Sequence, residues 1–296
     1  MPRFPALLPV LALVFNALVW GVSWWPFRAL HGHGVHPLWA TVIVFMLAVV
    51  VIGMVRPRAF GQLARAPALW LLALAAGATN AAFNWGVVIG DVVRVVLLFY
   101  LMPLWTVLLA RWLLHERFTR DALLRVLLGV AGAAVVLWPE APATGVAALP
   151  LPRSAGDVLG LLGGMTFALN NVLLRREAAQ PEEARAMAMF VGGVVVAGVL
   201  AVALSTASVV GWPPASLAWA PIALALALAF LFSNMALQFG AAKLPANITA
   251  VVLLIEVLFA ATTSVLWGEA RLTGTLLAGG GLIITAALLS TRANRV

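Results

Sequence analysis

The chain consists of long apolar runs separated by short segments that carry most of the charged residues. A bilayer core of about 30 Å needs about 20 apolar residues in a helix, and ten runs of roughly that length can be placed. They cover 10–30, 37–55, 68–89, 92–114, 122–138, 156–175, 186–205, 218–240, 245–267 and 274–290. Apolar residues occupy every face of these runs, unlike the alternating pattern of a membrane β-barrel. The pattern predicts an all-α polytopic membrane protein with ten transmembrane helices, here called spans 1 to 10.

Composition supports a membrane location. Hydrophobic residues make up 64% of the 296 residues, against about 45–50% in ordinary soluble domains. A soluble chain of this length cannot bury that fraction, because burial capacity rises only slowly with size. The chain has no cysteine, which excludes disulfides, iron–sulfur clusters and thiolate metal sites. No cofactor is expected.

The distribution of basic residues predicts the topology. The net charge is +8, but the basic residues form no single patch that would favour nucleic acid. If the N-terminus is cytoplasmic, 14 of the 18 basic residues fall on the cytoplasmic side. The positive-inside rule then places both termini in the cytoplasm. The expected location of the protein is the cell inner membrane. The charge-dense stretch "LLHERFTR" (113–120) becomes the inner turn between spans 4 and 5.

A histidine-rich segment, "HGHGVHP" (31–37), falls in an outer loop. Its three histidines are His31, His33 and His36. No fourth ligand or firm spacing accompanies them, so no metal site is predicted.

The two halves of the chain repeat each other at polar positions. The matched pairs are Glu116 with Glu269, Pro103 with Glu256, Trp20, Ser23 and Arg28 with Phe167, Asn170 and Arg175, and Asn80 and Asn84 with Asn234 and Gln238. Residues 1–140 and 156–296 each hold five spans, with the linker 141–155 between them. Because five is odd, the second half enters the membrane from the opposite side, as in inverted-repeat transporters. Chance similarity among leucine- and alanine-rich helices is the alternative.

Several motifs resemble a known family. They are Trp20-Gly21-Val22-Ser23 in span 1, and Pro103 followed by Glu116 at the end of span 4, with Gly268-Glu269 as a partial repeat after span 9. With these motifs the chain resembles the drug/metabolite transporter superfamily, EamA type, and within it most closely the YddG-type aromatic amino-acid exporters. It departs from the family in His115, where glycine is usual, and in lacking a proline near the centre of span 9. The resemblance implies a central cavity lined by spans 1, 3, 4, 6, 8 and 9, with the other four spans outside.

Polar and aromatic residues of the cavity spans are the candidate substrate-binding residues. Polar side chains inside a membrane are costly and normally face the bundle interior or a wet cavity. Amides could hold the polar end of a ligand while aromatic rings stack on its side chain. The alternative is that the amides only join helices, at about 0.6 kcal/mol each. The candidates are Trp20, Ser23, Trp24, Asn80, Asn84, Tyr100, Phe167, Asn170, Asn234 and Gln238.

Glu256 is the one ionisable residue near the centre of a predicted span. A bare charge there costs about 2.5–3.5 kcal/mol. Glu256 therefore either carries a coupling proton or forms a structural hydrogen bond as a neutral carboxyl. The structural role is favoured because its counterpart, Pro103, cannot titrate. Pro103 removes a backbone donor from span 4, so a kink or hinge is expected there. Glu116 and Glu269, at span ends, are read as structural.

These features favour a transporter. The chain has no nucleophile elbow, HExxH motif or P-loop of an enzyme, and no selectivity filter or ring of charges of a channel. A sugar-phosphate or nucleotide-sugar exchanger needs cavity cations, whereas Arg94 and Lys243 lie near span ends.

We therefore expect a secondary transporter that exports amphipathic metabolites, aromatic or hydrophobic amino acids foremost, by alternating access. Export itself follows from the resemblance alone. A sugar-phosphate or nucleotide-sugar exchanger or a multidrug exchanger is the alternative, and a channel or scramblase is less favoured. The expected partners are the small-molecule substrate and the lipid bilayer, without nucleic acid, cofactor or metal; a homodimer is left open.

Overall fold

The computed structural model describes residues 7–113, 120–138, 149–243, 252–253 and 255–292. Within these residues every regular element is a helix and no strand occurs. A short 3₁₀ turn at Leu217–Trp219 precedes α11. The α-helices are α1 (Leu7–Val22), α2 (Trp24–Gly32), α3 (Pro37–Val55), α4 (Arg58–Arg65), α5 (Ala68–Ile89), α6 (Val92–Phe99), α7 (Met102–Leu113), α8 (Arg120–Val136), α9 (Ala155–Arg176), α10 (Glu182–Thr206), α11 (Ala220–Lys243), α12 (Ile255–Leu266) and α13 (Gly274–Arg292).

Seven helical segments of the described residues are long and apolar enough to cross a membrane, judged by length and composition. They are Leu7–Gly32, Pro37–Val55, Ala68–Ile89, Val92–Leu113, Ala155–Arg176, Glu182–Thr206 and Leu217–Leu237. Three shorter apolar helices are Val126–Val136, Ile255–Leu266 and Gly274–Ala286. The chain is thus a helical protein with several candidate membrane spans.

Two of the long segments are interrupted. Span 1 divides into α1 and α2 at Ser23, whose Oγ donates to the Trp20 carbonyl at 2.7 Å. A serine that bonds back to the preceding turn commonly bends a helix. Span 4 divides into α6 and α7 at Tyr100 and Leu101. Pro103 follows directly and has no amide hydrogen to donate to the Phe99 carbonyl, so the helix cannot continue unbroken through this point.

Helix contacts connect the two halves of the chain. Helix α9 packs against α5, α6 and α7, whereas α1 packs against α11 and α12. Helix α10 lies against both α3 and α5, α3 also contacts α11, and α8 pairs with α13. One large cluster of buried residues lies among α3, α5, α10 and α11. A second lies among α2, α5, α6 and α12, and it contains the candidate site.

Helix α4 differs from the others in length and polarity. It follows α3 after a break at Arg56 and Pro57, and it packs against α10 and α3. Ala59 and Leu63 are buried, while Phe60 is 46% exposed. A short helix with an apolar side and exposed arginines is typical of the membrane interface.

Candidate functional site

Four candidate aromatic residues meet in one cluster. Trp24 and Tyr100 are buried in it, and Trp20 and Phe167 pack against it. The Phe167 ring centroid lies 5.3 Å from that of Phe99, which neighbours Tyr100 in the broken part of span 4. The Trp20 ring also stacks on the Phe230 ring of α11. The structure therefore brings together rings from α1, α2, α9 and the break between α6 and α7.

Glu256 joins this cluster through Tyr100. The Tyr100 hydroxyl donates to Glu256 Oε2 at 3.1 Å and lies 3.4 Å from the Leu253 carbonyl oxygen. Because α6 ends at Phe99, Tyr100 stands in the turn and reaches across to the first turn of α12. On the other side, a Cβ added to Gly21 would lie 2.7 Å from the Glu256 carbonyl oxygen. Glu256 is thus located where α1, α12 and the broken span 4 meet.

A carboxyl and a phenol side by side among aromatic rings define a chemical preference. Together they offer hydrogen-bond acceptors and one donor, whereas the surrounding rings offer apolar faces. This environment suits a small ligand with a cationic or hydrogen-bonding end and an apolar body. It also suits a carboxyl that binds and releases a proton.

A polar layer closes one end of the same region. The Trp24 indole nitrogen donates to Thr263 Oγ1 of α12 at 3.0 Å. One turn later, Arg28 Nη1 donates to Glu269 Oε2 at 2.5 Å. Glu269, which the sequence only marks as a matched position after span 9, therefore contacts span 1.

Arg28 also binds the C-terminal end of α5. Its Nε donates to the Val87 carbonyl at 3.0 Å and its Nη2 to the Gly90 carbonyl at 2.7 Å. Carbonyls at a helix C-terminus carry partial negative charge and attract cations. One guanidinium thereby holds together α2, the end of α5 and the segment after α12; this end of the bundle is called the Arg28 end.

The hydrogen bonds of the candidate amides lie outside the aromatic cluster. Asn84 is fully buried and donates to Thr41 Oγ1 of α3 at 3.0 Å. Asn80 donates to the Ala76 carbonyl of its own helix at 2.8 Å. Asn170 is 2% exposed. The Oδ1 atoms of Asn84 and Asn170 have no hydrogen-bond partner among the described residues.

The three remaining candidate residues are Ser23, Asn234 and Gln238. Ser23 bonds to the backbone at the helix break, and Asn234 lines a cleft at the opposite end of the bundle. The side chain of Gln238 lies outside the described part of the chain, as do Glu116 and the side chain of Pro103.

Several polar contacts went unrecognised in the sequence because their partners are single hydroxyls. Asn16 Nδ2 donates to Ser233 Oγ at 2.7 Å, joining α1 to α11. Thr79 Oγ1 donates to Thr166 Oγ1 at 3.0 Å, joining α5 to α9. Each of these hydroxyls is the only one in its helix, so the sequence carried no recurring pattern that could have indicated them.

A bidentate ion pair stabilises the Arg28 end. Arg94 Nε donates to Asp157 Oδ1 at 2.7 Å, and its Nη2 donates to Oδ2 at 3.1 Å. Arg94 Nη1 also donates to the Val136 carbonyl. Asp157 is 2% exposed. This pair connects α6, α8 and α9, and it leaves Arg94 engaged in structure.

The histidines lie in the last turn of α2 and in its connection to α3. The ring centroids of His31 and His36 are 6.2 Å apart. Burial and the neighbouring His31 lower the pKa of His36 to about 4, so its ring is neutral at pH 7. Within the described ranges, no group of three or more His, Cys, Asp or Glu side chains could hold a metal ion.

Comparison with known proteins finds a family match within the first half of the chain. Residues 7–138 match the family model of the EamA-like transporter family. No curated protein matches the chain. A solved structure titled "Crystal structure of protein" is 18% identical, with a TM-score of 0.58, over 97% of this chain and 99% of that chain. At this identity the likeness shows the fold alone. The family match and the apolar helices together support a multi-pass membrane protein.

Proposed function

We propose that the chain is a secondary transporter of amphipathic metabolites, with aromatic or hydrophobic amino acids as the foremost substrates. The observation that carries the proposal is the Tyr100–Glu256 pair, which lies among the rings of Trp20, Trp24 and Phe167 beside two interrupted helices. The match of residues 7–138 to a transporter family supports it. Export and the resemblance to aromatic amino-acid exporters are part of the proposal.

The helix contacts support two inverted five-helix repeats. In this arrangement span 1 corresponds to span 6, span 3 to span 8 and span 4 to span 9. Helix α1 contacts α11 and α12 of spans 8 and 9, and α9 correspondingly contacts α5, α6 and α7 of spans 3 and 4. The contact of α10 with α5 likewise corresponds to the contact of α3 with α11. Exchange of the halves therefore preserves these contacts.

Individual close approaches follow the same correspondence. A Cβ at Gly240 of α11 would lie 2.8 Å from the Pro9 carbonyl oxygen of α1. A Cβ at Gly86 of α5 would lie 3.8 Å from the Gly156 carbonyl oxygen of α9. Gly240 follows Gly86 at the spacing that relates Asn80 to Asn234, and Gly156 follows Pro9 at the spacing that relates Trp20 to Phe167. The repeat was inferred from other residues, so these contacts are independent support.

The site favours recognition of an amino acid by a carboxyl and rings. The ammonium group of the substrate would bind Glu256 and the Tyr100 hydroxyl, and its side chain would lie against Trp20 and Phe167. This assignment moves the polar contact away from Asn84, which donates to Thr41. Alternating access would then expose the site first to one side of the membrane and then to the other.

The polar layer at the Arg28 end would close one of the two access routes. Arg28, Glu269 and Thr263 connect α2 to α12 and its following segment. In the positive-inside orientation this end faces away from the cytoplasm. The bound site would therefore be shielded from the outside in this conformation.

Counterflow in proteoliposomes tests the proposal. Labelled phenylalanine, leucine and alanine are compared with and without a pH gradient, and phenylalanine is expected to exchange fastest. Glu256→Gln and Tyr100→Phe should each weaken apparent phenylalanine affinity about tenfold, because each removes a hydrogen bond to a charged group. Glu177→Gln is the matched control, since Glu177 lies in a loop beside Arg176. Equal affinities in all variants would contradict the site.

Glu256→Gln also distinguishes proton coupling from a structural role of Glu256. If Glu256 only forms its hydrogen bond with Tyr100 and contacts no substrate, the amide should preserve most transport and its pH dependence. Loss of gradient-driven uptake with retained exchange would assign proton coupling to Glu256. Absence of exchange for all three amino acids in the native protein would overturn the substrate class.

A further inference from the structure

A second site lies at the opposite end of the bundle, here called the Arg56 end. A cleft of about 270 Å³ lies between α3, α10 and α11. Arg56, Glu182, Glu183 and Asn234 provide polar groups in its wall, and Phe190 and Met235 provide apolar ones. Because α3 and α10 stand outside the aromatic cluster, the cleft is distinct from the transport site proposed above.

The charges of the cleft select a ligand with two opposite charges. Arg56 follows the last turn of α3, whereas Glu182 and Glu183 occupy the first turn of α10. A purely anionic ligand would meet two carboxylates, and a purely cationic one would meet the guanidinium. A ligand that carries a phosphate close to an ammonium group satisfies both sides.

A nearby amide holds one of the carboxylates in place. Gln62 of α4 donates through Nε2 to Glu183 Oε1 at 3.1 Å. Its own Oε1 is buried and has no hydrogen-bond partner among the described residues. Gln62 does not line the cleft, and its bond to Glu183 holds that carboxylate in place.

The apolar part of the cleft faces the bilayer. Phe190 is buried at its base, and Met235 on its edge is 60% exposed. In a membrane-spanning helix, such an exposed apolar side chain contacts lipid. The neighbouring helix α4 exposes Phe60 and Arg58, as expected of a helix at headgroup depth. A ligand with an apolar tail can therefore enter the cleft from the membrane.

We propose that this cleft binds the headgroup of a phospholipid that carries a primary ammonium group beside its phosphate, as phosphatidylethanolamine does. The phosphate lies against Arg56, and the ammonium group donates to Glu182 and Glu183. A choline headgroup has the same charges but no N–H donor, and a glycerol headgroup has no cation. The acyl chains lie along Phe190 and Met235.

Lipid titration of the delipidated full-length protein in detergent tests this assignment. Native mass spectrometry measures the binding of phosphatidylethanolamine, phosphatidylcholine and phosphatidylglycerol with identical acyl chains. We expect the ethanolamine lipid to bind about tenfold more tightly than the choline lipid, since only it donates hydrogen bonds to the carboxylates.

Two classes of variant distinguish the two parts of the headgroup. Arg56→Gln should weaken all three lipids, because all three carry the phosphate. Glu182→Gln and Glu183→Gln should weaken the ethanolamine lipid more than the choline lipid, which loses only the attraction between charges, and so reduce the selectivity between the two. Arg58→Gln is the matched control, because Arg58 is exposed on α4 and does not line the cleft. Glu182 is exposed, so its variant should fold even if replacement of Arg56 impairs folding.

Several results would overturn the proposal. Equal affinity for the three lipids, or selectivity that survives in Glu182→Gln and Glu183→Gln, would remove the ethanolamine assignment. Equally tight binding of soluble phosphoethanolamine or of a free amino acid would instead indicate a site for water-soluble zwitterions. Glu256→Gln should leave lipid binding unchanged, so failure of the transport proposal would not affect this result.

Discussion

Two contacts that correspond under the proposed repeat are built in different ways. Helix α9 approaches the broken span 4 through glycines. A Cβ at Gly160 would lie 2.9 Å from the Val95 carbonyl oxygen, and one at Gly164 would clash with the Phe99 backbone. Small residues of this kind let helix backbones approach closely in membranes.

The corresponding contact of α1 and α2 with α12 uses side chains. Gly21 makes a similar close approach to Glu256 and Phe259. Beyond it, however, the contact consists of the Trp24–Thr263 hydrogen bond and the Arg28–Glu269 ion pair. These polar groups lie towards the Arg28 end, where Glu269 is 49% exposed.

The difference indicates which contact opens more easily. Close backbone packing has no substitute partner once the helices separate, so the contact of α9 with span 4 is expected to persist. Polar side chains at an exposed end can exchange their bonds for bonds to water, and exposed ion pairs contribute only about 0–1 kcal/mol. We therefore expect α2 and α12 to part at the Arg28 end during transport, while α9 and span 4 move together.

The largest effect is expected from Gly164→Ala. The added methyl group would meet the Phe99 backbone, which has no flexible end that could move aside. Overpacking of this kind costs about 1–3 kcal/mol, measured as lower thermal stability in detergent. Gly281→Ala is the control, because a Cβ there meets nothing within 4 Å. A native-like melting temperature for Gly164→Ala would show that this contact is no tighter than its counterpart.

A smaller effect on stability, but a clear one on access, is expected from Arg28→Gln. The test places a single cysteine at Ala260, which is 1% exposed on α12; the native chain has no cysteine. Labelling by an impermeant thiol reagent should become several-fold faster with Arg28→Gln, since the α2–α12 contact opens. A cysteine at Ala168 of α9 should stay protected in the same background. Faster labelling of both cysteines, or of neither, would contradict the proposed difference between the two contacts. Arg58→Gln is the control for loss of a positive charge.

The smallest effect is expected from Thr263→Val. It removes the acceptor of the Trp24 indole but keeps the side-chain shape, and such a bond in a membrane is worth about 0.6 kcal/mol. The melting temperature should fall slightly, and labelling at Ala260 should rise less than with Arg28→Gln. Thr285→Val on the exposed face of α13 is the control. A larger loss than for Gly164→Ala would reverse the ranking of the two contacts.

The positions of the long helices were predictable from the sequence, because each needs only an uninterrupted apolar run. The predicted runs 37–55 and 68–89 coincide with α3 and α5. The interruption at Ser23 was not predicted, because Asn16, Trp20 and Ser23 follow the spacing of one continuous helix. A bond from Ser23 Oγ to the Trp20 carbonyl leaves no signature in that spacing.

The aromatic part of the candidate site was more predictable than the polar part. Aromatic rings become buried wherever helices meet, so Trp24 and Tyr100 belong to a common cluster. An amide instead follows whichever donor or acceptor a neighbouring helix offers. For Asn84 that acceptor is Thr41, a single hydroxyl on α3. The family resemblance had placed this helix, span 2, outside the central cavity. The pairing of Arg28 with Glu269 could be suspected only because both are matched positions in the repeat.

The Asn84–Thr41 bond also bears on how the chain is inserted during synthesis. Helices α5 and α9 are the least apolar of the long segments and pack against each other. The ribosome completes α5 well before α9 and α10, so α5 enters the bilayer without its two main partners. Helix α3, the most apolar segment, is already in place by then. Its Thr41 hydroxyl is then available to accept the hydrogen bond from Asn84, so we expect this bond to stabilise α5 in the bilayer before α9 and α10 are made.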